Sequence, residues 1–198
     1  MWQVPADLAG NLDRLRWNQR YGRGYEPSFD PHPLAVQALA LPLPDGPVLE
    51  LAAGPSGSAL LAAEQGRPVT AVDVSDAGLD LLAAEARRRH VEGLLTLVQA
   101  DLTSWCPPPE LFALVLCTNY WDRGVFAAAS GLVAPGGLIA WEGFTLAARH
   151  DRPHLPAEWC LDSGEPASLL PAGFEVLEQS GVGAEPAAKR QMLARRLS

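Results

Sequence analysis

A turn of small residues between an apolar run and a helical pattern is the part of the sequence best suited to chemistry. Residues 48–51 form the apolar run, residues 52–57 are mostly small, and Ser58 opens the helical pattern. Small residues let the backbone approach a ligand closely, and the first turn of a helix offers free N–H groups. This stretch therefore predicts a loop that binds a ligand.

An acid stands at the matching place on the next strand. Asp73 follows the apolar run 69–72 and lies nineteen positions after Gly54. A carboxylate there can accept hydrogen bonds from both hydroxyls of a ribose, as it does in open α/β sheets that bind nucleosides. A plain turn and a helix-start acid would explain the two features separately, but their spacing favours a nucleoside site.

Two kinds of nucleoside cofactor fit this loop. The pattern Ala52-x-Gly54-x-x-Gly57 differs by one methyl group from the dinucleotide fingerprint, so a nicotinamide-dependent oxidoreductase is one alternative. Glu50 favours a sulfonium nucleoside, because an acid attracts a cationic sulfonium and amino group and repels a pyrophosphate. The single lysine, Lys189, is not part of a Tyr-x-x-x-Lys pair, which weakens the oxidoreductase alternative.

Strand and helix patterns alternate along most of the chain. Strands are predicted at 47–52, 68–72, 95–98, 111–117, 138–141, 174–179 and 191–196, and helices at 7–21, 34–41, 58–65, 76–90 and 123–133. Apolar strands separated by helices indicate a parallel sheet that is covered on both faces. The last two strands have no helix between them, so we expect them to pair in antiparallel fashion.

Length and composition favour one domain with an ordinary core. We expect a single domain over 1–198, with a helical extension or lid at 1–44 and a Rossmann-like core at 45–198. The net charge of −8 disfavours nucleic acid as a partner, and no apolar run predicts a membrane span. Three cysteines are too few for a disulfide framework, which favours a cytoplasmic setting. The sequence leaves the oligomeric state open.

Several of these motifs together resemble the class I S-adenosylmethionine-dependent methyltransferases, from about residue 17 to 196. The matching motifs are Glu50 to Gly57, Asp73, Asp101-Leu102, Leu114 to Cys117 and Ala134 to Gly137. The resemblance implies an α/β fold: a Rossmann-like open seven-stranded sheet, mostly parallel with one antiparallel strand near the edge, and helices on both faces. It also implies S-adenosyl-L-methionine as cofactor. The cofactor-binding residues it implies are Glu50, Ala52, Gly54, Asp73, Val74, Asp101, Leu102 and Cys117.

The first motif departs from the family pattern at two of its three glycine positions, which hold Ala52 and Ser56. Alanine is compatible with close approach if its φ is negative. A positive φ at Ser56 would cost on the order of 1 kcal/mol or more, so we expect Gly57 to absorb the turn. A closer resemblance, to the tellurite-resistance type of small methyltransferases, rests on residues 16–22, 27–28 and 118–123.

The acceptor side is less well defined. Methyl transfer is an in-line displacement in which a dedicated base is optional, so no catalytic residue is assigned. Acceptor contacts are predicted first for Trp17, Arg20, Tyr21, Tyr120 and Arg123, and then for Trp121, Glu142, Thr145, His150 and His154. Core or lid packing is the competing interpretation for Trp17, Trp121 and Trp141.

Neither a metal nor a nucleic-acid base fits the acceptor side well. His150, His154 and Glu158 have helical spacing, but Pro153 and Pro156 interrupt that stretch, so we expect solvated loop histidines and no metal. The Pro-Pro run typical of base methylation is missing after the fourth strand. The sequence thus predicts methyl transfer to a small molecule; a non-catalytic methyltransferase-like binding protein is the remaining alternative.

Overall fold

A computed structural model describes residues 5–184 and 186–197, and within them the chain forms an eight-stranded sheet flanked by helices. The strands are β1 Val48–Leu51, β2 Val69–Asp73, β3 Leu95–Gln99, β4 Phe112–Thr118, β5 Val133–Thr145, β6 Cys160–Leu161, β7 Phe174–Val182 and β8 Lys189–Arg196. The helices are α1 Leu12–Arg20, α2 Pro33–Ala40, α3 Gly57–Glu64, α4 Asp76–Arg88 and α5 Arg123–Gly131.

The strand order is β3-β2-β1-β4-β5-β8-β7, and the two-residue strand β6 pairs with β5 beside this path. Strands β1 to β5 run parallel to one another, and β8 runs antiparallel to both β5 and β7. The predicted fold class is therefore confirmed, with one antiparallel strand next to the edge. The order reverses between β1 and β4, which is where open α/β sheets bind ligands.

Strand β5 is much longer than the predicted 138–141. It begins at Val133 because the turn-like residues 134–137 stay in the sheet, opposite a register shift between Phe112 and Leu114 of β4. A Cβ on Gly137 would lie 2.8 Å from the carbonyl oxygen of Ala113, so only glycine fits this close passage. The turn-like residues 134–137 therefore accompany a β-bulge and do not end the strand. Strand β6 was not predicted.

The two faces of the sheet are covered unequally. Helices α2, α3 and α4 pack against alternate residues of the strands, such as Val48 and Leu138, on one face. Helix α5 covers the opposite face through Val125, Phe126 and Ala129. Among the described residues no helix has both the length and the apolar character to cross a membrane.

Polar side chains cap the helices that start beside the carboxyl ends of the strands. Ser56, Ser75 and Asp122 accept hydrogen bonds from the first-turn N–H groups of α3, α4 and α5. Two helices end two residues earlier than predicted. Helix α4 stops before His90, whose φ is +59°, and α5 stops at Gly131 because β5 starts at residue 133.

Candidate functional site

The loop after β1 is tied directly to the acid at the end of β2. Asp73 is 7% exposed, and its Oδ2 accepts a hydrogen bond of 2.8 Å from the backbone N–H of Gly54. Its Oδ1 accepts one of 2.7 Å from the N–H of Ser75. A carboxylate has about four lone-pair sites, so two remain for other donors such as ribose hydroxyls. Gly54 and Asp73, which the sequence predicts to share one site, are thus in direct contact.

The backbone of this loop differs from the sequence-based expectation. Ala52 has the positive φ, +51°, together with Gly54 at +53°, whereas Ser56 sits at −83° in the extended region. The expectation of a positive φ at Ser56 was therefore wrong, and the residue with the strained backbone is Ala52. Gly57 does not absorb the turn. It is required because a Cβ there would lie 2.3 Å from the carbonyl oxygen of Phe29.

Glu50 and Asp73 form a buried acidic pair at the carboxyl ends of β1 and β2. The Ser56 hydroxyl lies 2.8 Å from both carboxyl oxygens of Glu50, which is 4% exposed. Burial raises the pKa of Glu50 to about 8, and the hydrogen bond from Ser56 opposes that rise. Burial also raises the pKa of Asp73 to about 6, against its hydrogen bonds from the backbone of Ser75 and Gly54. A cation placed between them would stabilise both ionised forms.

An apolar crevice lies between the end of β1, the loop after β3 and helix α5, on the face of the sheet that α5 covers. It is lined by Leu51, Leu102, Trp105, Pro107, Val125, Ala128, Ala129 and Leu132. Val74 follows β2, and its carbonyl accepts a hydrogen bond from the Gln99 amide, whose own Oε1 is buried with no partner among the described residues. Asp101 is held by Asn11 and Thr103, whose hydrogen bonds outweigh burial and lower the pKa of Asp101. Flat apolar walls with polar atoms at the rim suit an aromatic base.

Helix α1 covers the loop. Asn18 accepts hydrogen bonds from the Ser75 hydroxyl at 2.6 Å and from the N–H of Ala77, and Arg14 pairs with Asp76. The hydroxyl of Tyr21 lies 2.7 Å from where a Cβ on Gly54 would stand. Tyr21 is stacked on Trp17, and burial followed by the nearby Asp73 raises its pKa. The predicted acceptor residues Trp17 and Tyr21 thus lie directly over the loop.

The aromatic and thiol side chains around the carboxyl end of β4 mostly pack in the core. Trp121 and Trp141 are buried and pack edge to face, which agrees with core packing for both. Trp141 donates to the carbonyl of Tyr120, whereas the indole N–H of Trp121 is buried without a partner among the described residues. Cys117 is fully buried, and burial raises the pKa of its thiol, as do Glu50 and Asp73.

Three predicted acceptor residues lie away from the centre of the site. Arg123 is paired with Glu165 at 2.8 Å and with Asp162 at 2.9 Å, so its guanidinium is already engaged. His150 and His154 are exposed, as expected for loop histidines. The described residues include no group of three or more His, Cys, Asp or Glu side chains placed to hold a metal ion.

One polar cluster was largely missed by the sequence analysis. Glu142, at the carboxyl half of β5, accepts from Lys189 Nζ at 2.8 Å and from His32 Nε2 at 3.3 Å. Lys189 also donates to Asn119 Oδ1, just after β4. Burial alone would raise the pKa of Glu142, but the bonds from His32 and Lys189 lower it. Glu142 was a secondary candidate; its partners come from distant segments, and only their strand-end positions could have signalled them.

Comparison with known proteins shows that part of this chain is similar to methyltransferases. Residues 48–137 match the family model described as a methyltransferase domain. Trans-aconitate 2-methyltransferase of Sinorhizobium medicae (strain WSM419) is 43% identical over 104 residues, which cover 50% of this chain and 38% of that relative. This chain therefore matches less than half of the relative's length.

Solved structures agree across most of the chain. The CcbJ methyltransferase from Streptomyces caelestis superposes with a TM-score of 0.67 at 16% identity, covering 88% of this chain and 94% of that one. The glycopeptide N-methyltransferase MtfA complexed with S-adenosyl-L-methionine gives 0.57 at 21% identity, covering 81% and 91%. The chain has the methyltransferase fold. This agrees with the fold expected for the predicted class; the tellurite-resistance subgroup finds no support among these proteins.

Proposed function

We propose that the protein transfers a methyl group from S-adenosyl-L-methionine to a small-molecule acceptor by in-line displacement. The observation that carries this proposal is the hydrogen bond between Gly54 and Asp73, which ties the loop after β1 to the acid at the end of β2, near the buried carboxylate of Glu50. Asp73 would accept from the ribose, and Glu50 would face the cationic amino and sulfonium groups. The adenine would rest near Leu102, with its edge towards Asp101.

The cofactor supplies the reactive methyl group, and the chain supplies binding, alignment and exclusion of water. Trp17 and Tyr21 lie over the loop and would shield the sulfonium side, where aromatic rings attract a cation. Tyr120 follows β4 at the same end of the sheet, and burial raises its pKa, so its phenol stays neutral. Arg20 stacks on Tyr25 at the rim of α1, within the same lid. These residues would line the path of the acceptor.

The small-molecule class is supported by two features. The family relative is named for trans-aconitate, and the site is narrow, because α1 packs across it through Asn18 and Arg14. The net charge of −8 disfavours a polyanionic acceptor such as nucleic acid.

Calorimetric titration with S-adenosylhomocysteine, and with NADH in parallel, tests the cofactor. We expect micromolar binding of S-adenosylhomocysteine and no binding of NADH. Asp73→Ala should abolish the binding of S-adenosylhomocysteine. The control Asp80→Ala should leave it unchanged, because Asp80 is an exposed acid of α4 without a side-chain partner among the described residues. Preference for NADH would favour the oxidoreductase alternative. Binding without methyl transfer to any of a broad panel of small acceptors, followed with cofactor labelled on the methyl group, would favour the non-catalytic alternative.

A further inference from the structure

Two cations approach the ring of Phe144 at the end of β5. Lys189 Nζ lies 5.4 Å from the ring centroid, and the guanidinium carbon of Arg152 lies 4.7 Å from it. Phe144 and Lys189 are cross-strand partners of the β5–β8 ladder, so the lysine is held beside the ring by the sheet. Arg152 comes from the segment after β5. An aromatic ring with two cations near it is thus built from three separate elements.

Both cations retain donors for a ligand. The ammonium of Lys189 has three N–H donors, of which Asn119 and Glu142 accept two, and its side chain is 27% exposed. The guanidinium of Arg152 is exposed and makes no hydrogen bond or ion pair with any described residue. By contrast, the guanidinium of Arg123 is neutralised by Glu165. The third lysine donor and the arginine fork therefore have no hydrogen-bond partner among the described residues.

This cluster stands close to the cofactor loop. Asn119, which accepts from Lys189, directly follows β4, and β4 is the immediate neighbour of β1. Strands lie roughly 4.8 Å apart, so β5 is about 10 Å from β1, a distance that a small acceptor can bridge. His32 is not a free base at this place, because its Nδ1 accepts from the N–H of Leu34 and its Nε2 faces Glu142.

We propose that Lys189 and Arg152 bind the carboxylates of an organic-acid acceptor whose carbon skeleton packs on Phe144. The proposal rests on the methyltransferase function proposed above and names its substrate class. Two cations select an anion, and the ring beside them adds apolar contact that a bare inorganic anion cannot use. Glu142 keeps the lysine in place while leaving one donor exposed. Lys189 and Arg152 are thus specificity-determining residues.

The test is binding of carboxylic acids to the protein saturated with S-adenosylhomocysteine, followed by calorimetry. The probes are benzoate, succinate and tricarballylate, the neutral triamide of tricarballylate, and inorganic phosphate. We expect at least one carboxylate to bind, and the triamide and phosphate to bind at least about 10-fold more weakly. The affinity should fall as salt is raised.

Matched variants locate the site. Arg152→Gln should weaken the carboxylate by about 10-fold and leave S-adenosylhomocysteine affinity unchanged, whereas Arg87→Gln, the same change on exposed α4, should leave both unchanged. Lys189→Met alone would leave the buried carboxylate of Glu142 without its lysine partner. The lysine is therefore tested in the double variant Lys189→Met/Glu142→Gln, which should also bind the carboxylic acid more weakly.

Three results would overturn this proposal: no carboxylate binds to the loaded protein, phosphate binds as tightly, or Arg152→Gln binds as well as the parent protein. Failure of S-adenosylhomocysteine itself to bind would instead refute the proposed function, so the two failures are distinguishable.

Discussion

The backbone N–H of Gly54 donates to Oδ2 of Asp73 across nineteen residues of sequence, at 2.8 Å and out of contact with bulk solvent. This bond joins the loop after β1 to the end of β2 and so fixes the shape of the candidate cofactor site before a ligand arrives. A buried hydrogen bond to a charged group contributes about 1.5–3 kcal/mol.

Asp73→Asn should therefore impair both folding stability and cofactor binding. The amide can accept from only one of the two backbone N–H groups, and it presents an N–H₂ group to the other. We expect a loss of about 1–3 kcal/mol in the free energy of unfolding, measured in urea, and at least a tenfold weaker binding of S-adenosylhomocysteine. Equal affinity in the variant would show that this carboxylate does not contact the cofactor.

Gly57→Ala should be poorly tolerated because of the N-terminal segment. The added Cβ would meet the backbone of Phe29 and Asp30 at 2.3–2.6 Å, and neither can move as a flexible side chain would. We expect a loss of about 1–3 kcal/mol or more by thermal or urea unfolding. Gly131→Ala at the end of α5, where a Cβ meets nothing within 4 Å, is the matched control and should be neutral or slightly stabilising. Equal stability of the two variants would refute the close packing of residues 29–30.

Stability should depend on pH through Glu50. Folding raises the pKa of Glu50 from 4.5 to about 8 by burial, so the folded state holds this proton more tightly than the unfolded chain. The resulting stabilisation is full below pH 4.5 and is lost as pH rises through about 8. Glu50→Gln lacks it, so the free energy of unfolding of the parent relative to the variant should fall between about pH 5 and pH 8.5 in urea titrations. A constant difference would mean that Glu50 titrates normally.

Lys189→Met should destabilise the protein much more than the double variant with Glu142→Gln. The single change leaves the carboxylate of Glu142, 2% exposed, with only His32 as a partner. Breaking a buried pair costs about 3–5 kcal/mol, whereas replacing both partners is far milder. Urea unfolding of the two single variants and the double variant forms the cycle that measures this coupling. Additive effects would show that the pair is not coupled.

Asn18→Ala should loosen the lid. Asn18 accepts from Ser75 and Ala77 and donates to Asp76, so the change removes the contacts that dock α1 on the start of α4. We expect S-adenosylhomocysteine to dissociate about tenfold faster, since each lost hydrogen bond is worth about 1 kcal/mol. Gln19→Ala, on the exposed side of the same helix, should leave the rate unchanged. Stopped-flow displacement measures both, and equal rates would show that α1 does not hold the cofactor.

The sequence by itself determined the alternation of strands and helices, the parallel core and the antiparallel strand near the edge. Apolar strands separated by amphipathic helices allow few other arrangements, because each strand must be covered on both faces. It also indicated where the candidate site lies. Glu50, Gly54 and Asp73 stand near strand ends whose relative positions follow from the fold class, and the spacing of Gly54 and Asp73 therefore predicts one site.

Only the tertiary structure decided which residue of the loop is strained and why Gly57 is glycine. The positive φ of Ala52 and the approach of Phe29 to Gly57 depend on how the N-terminal segment packs across the loop. The residues of the loop alone do not predict that packing. The same holds on the acceptor side. Lys189 lies far along the chain from Glu142, and Arg152 lies in a segment without regular periodicity. They meet because strand register and a crossing loop place them there, which is information that no single segment contains.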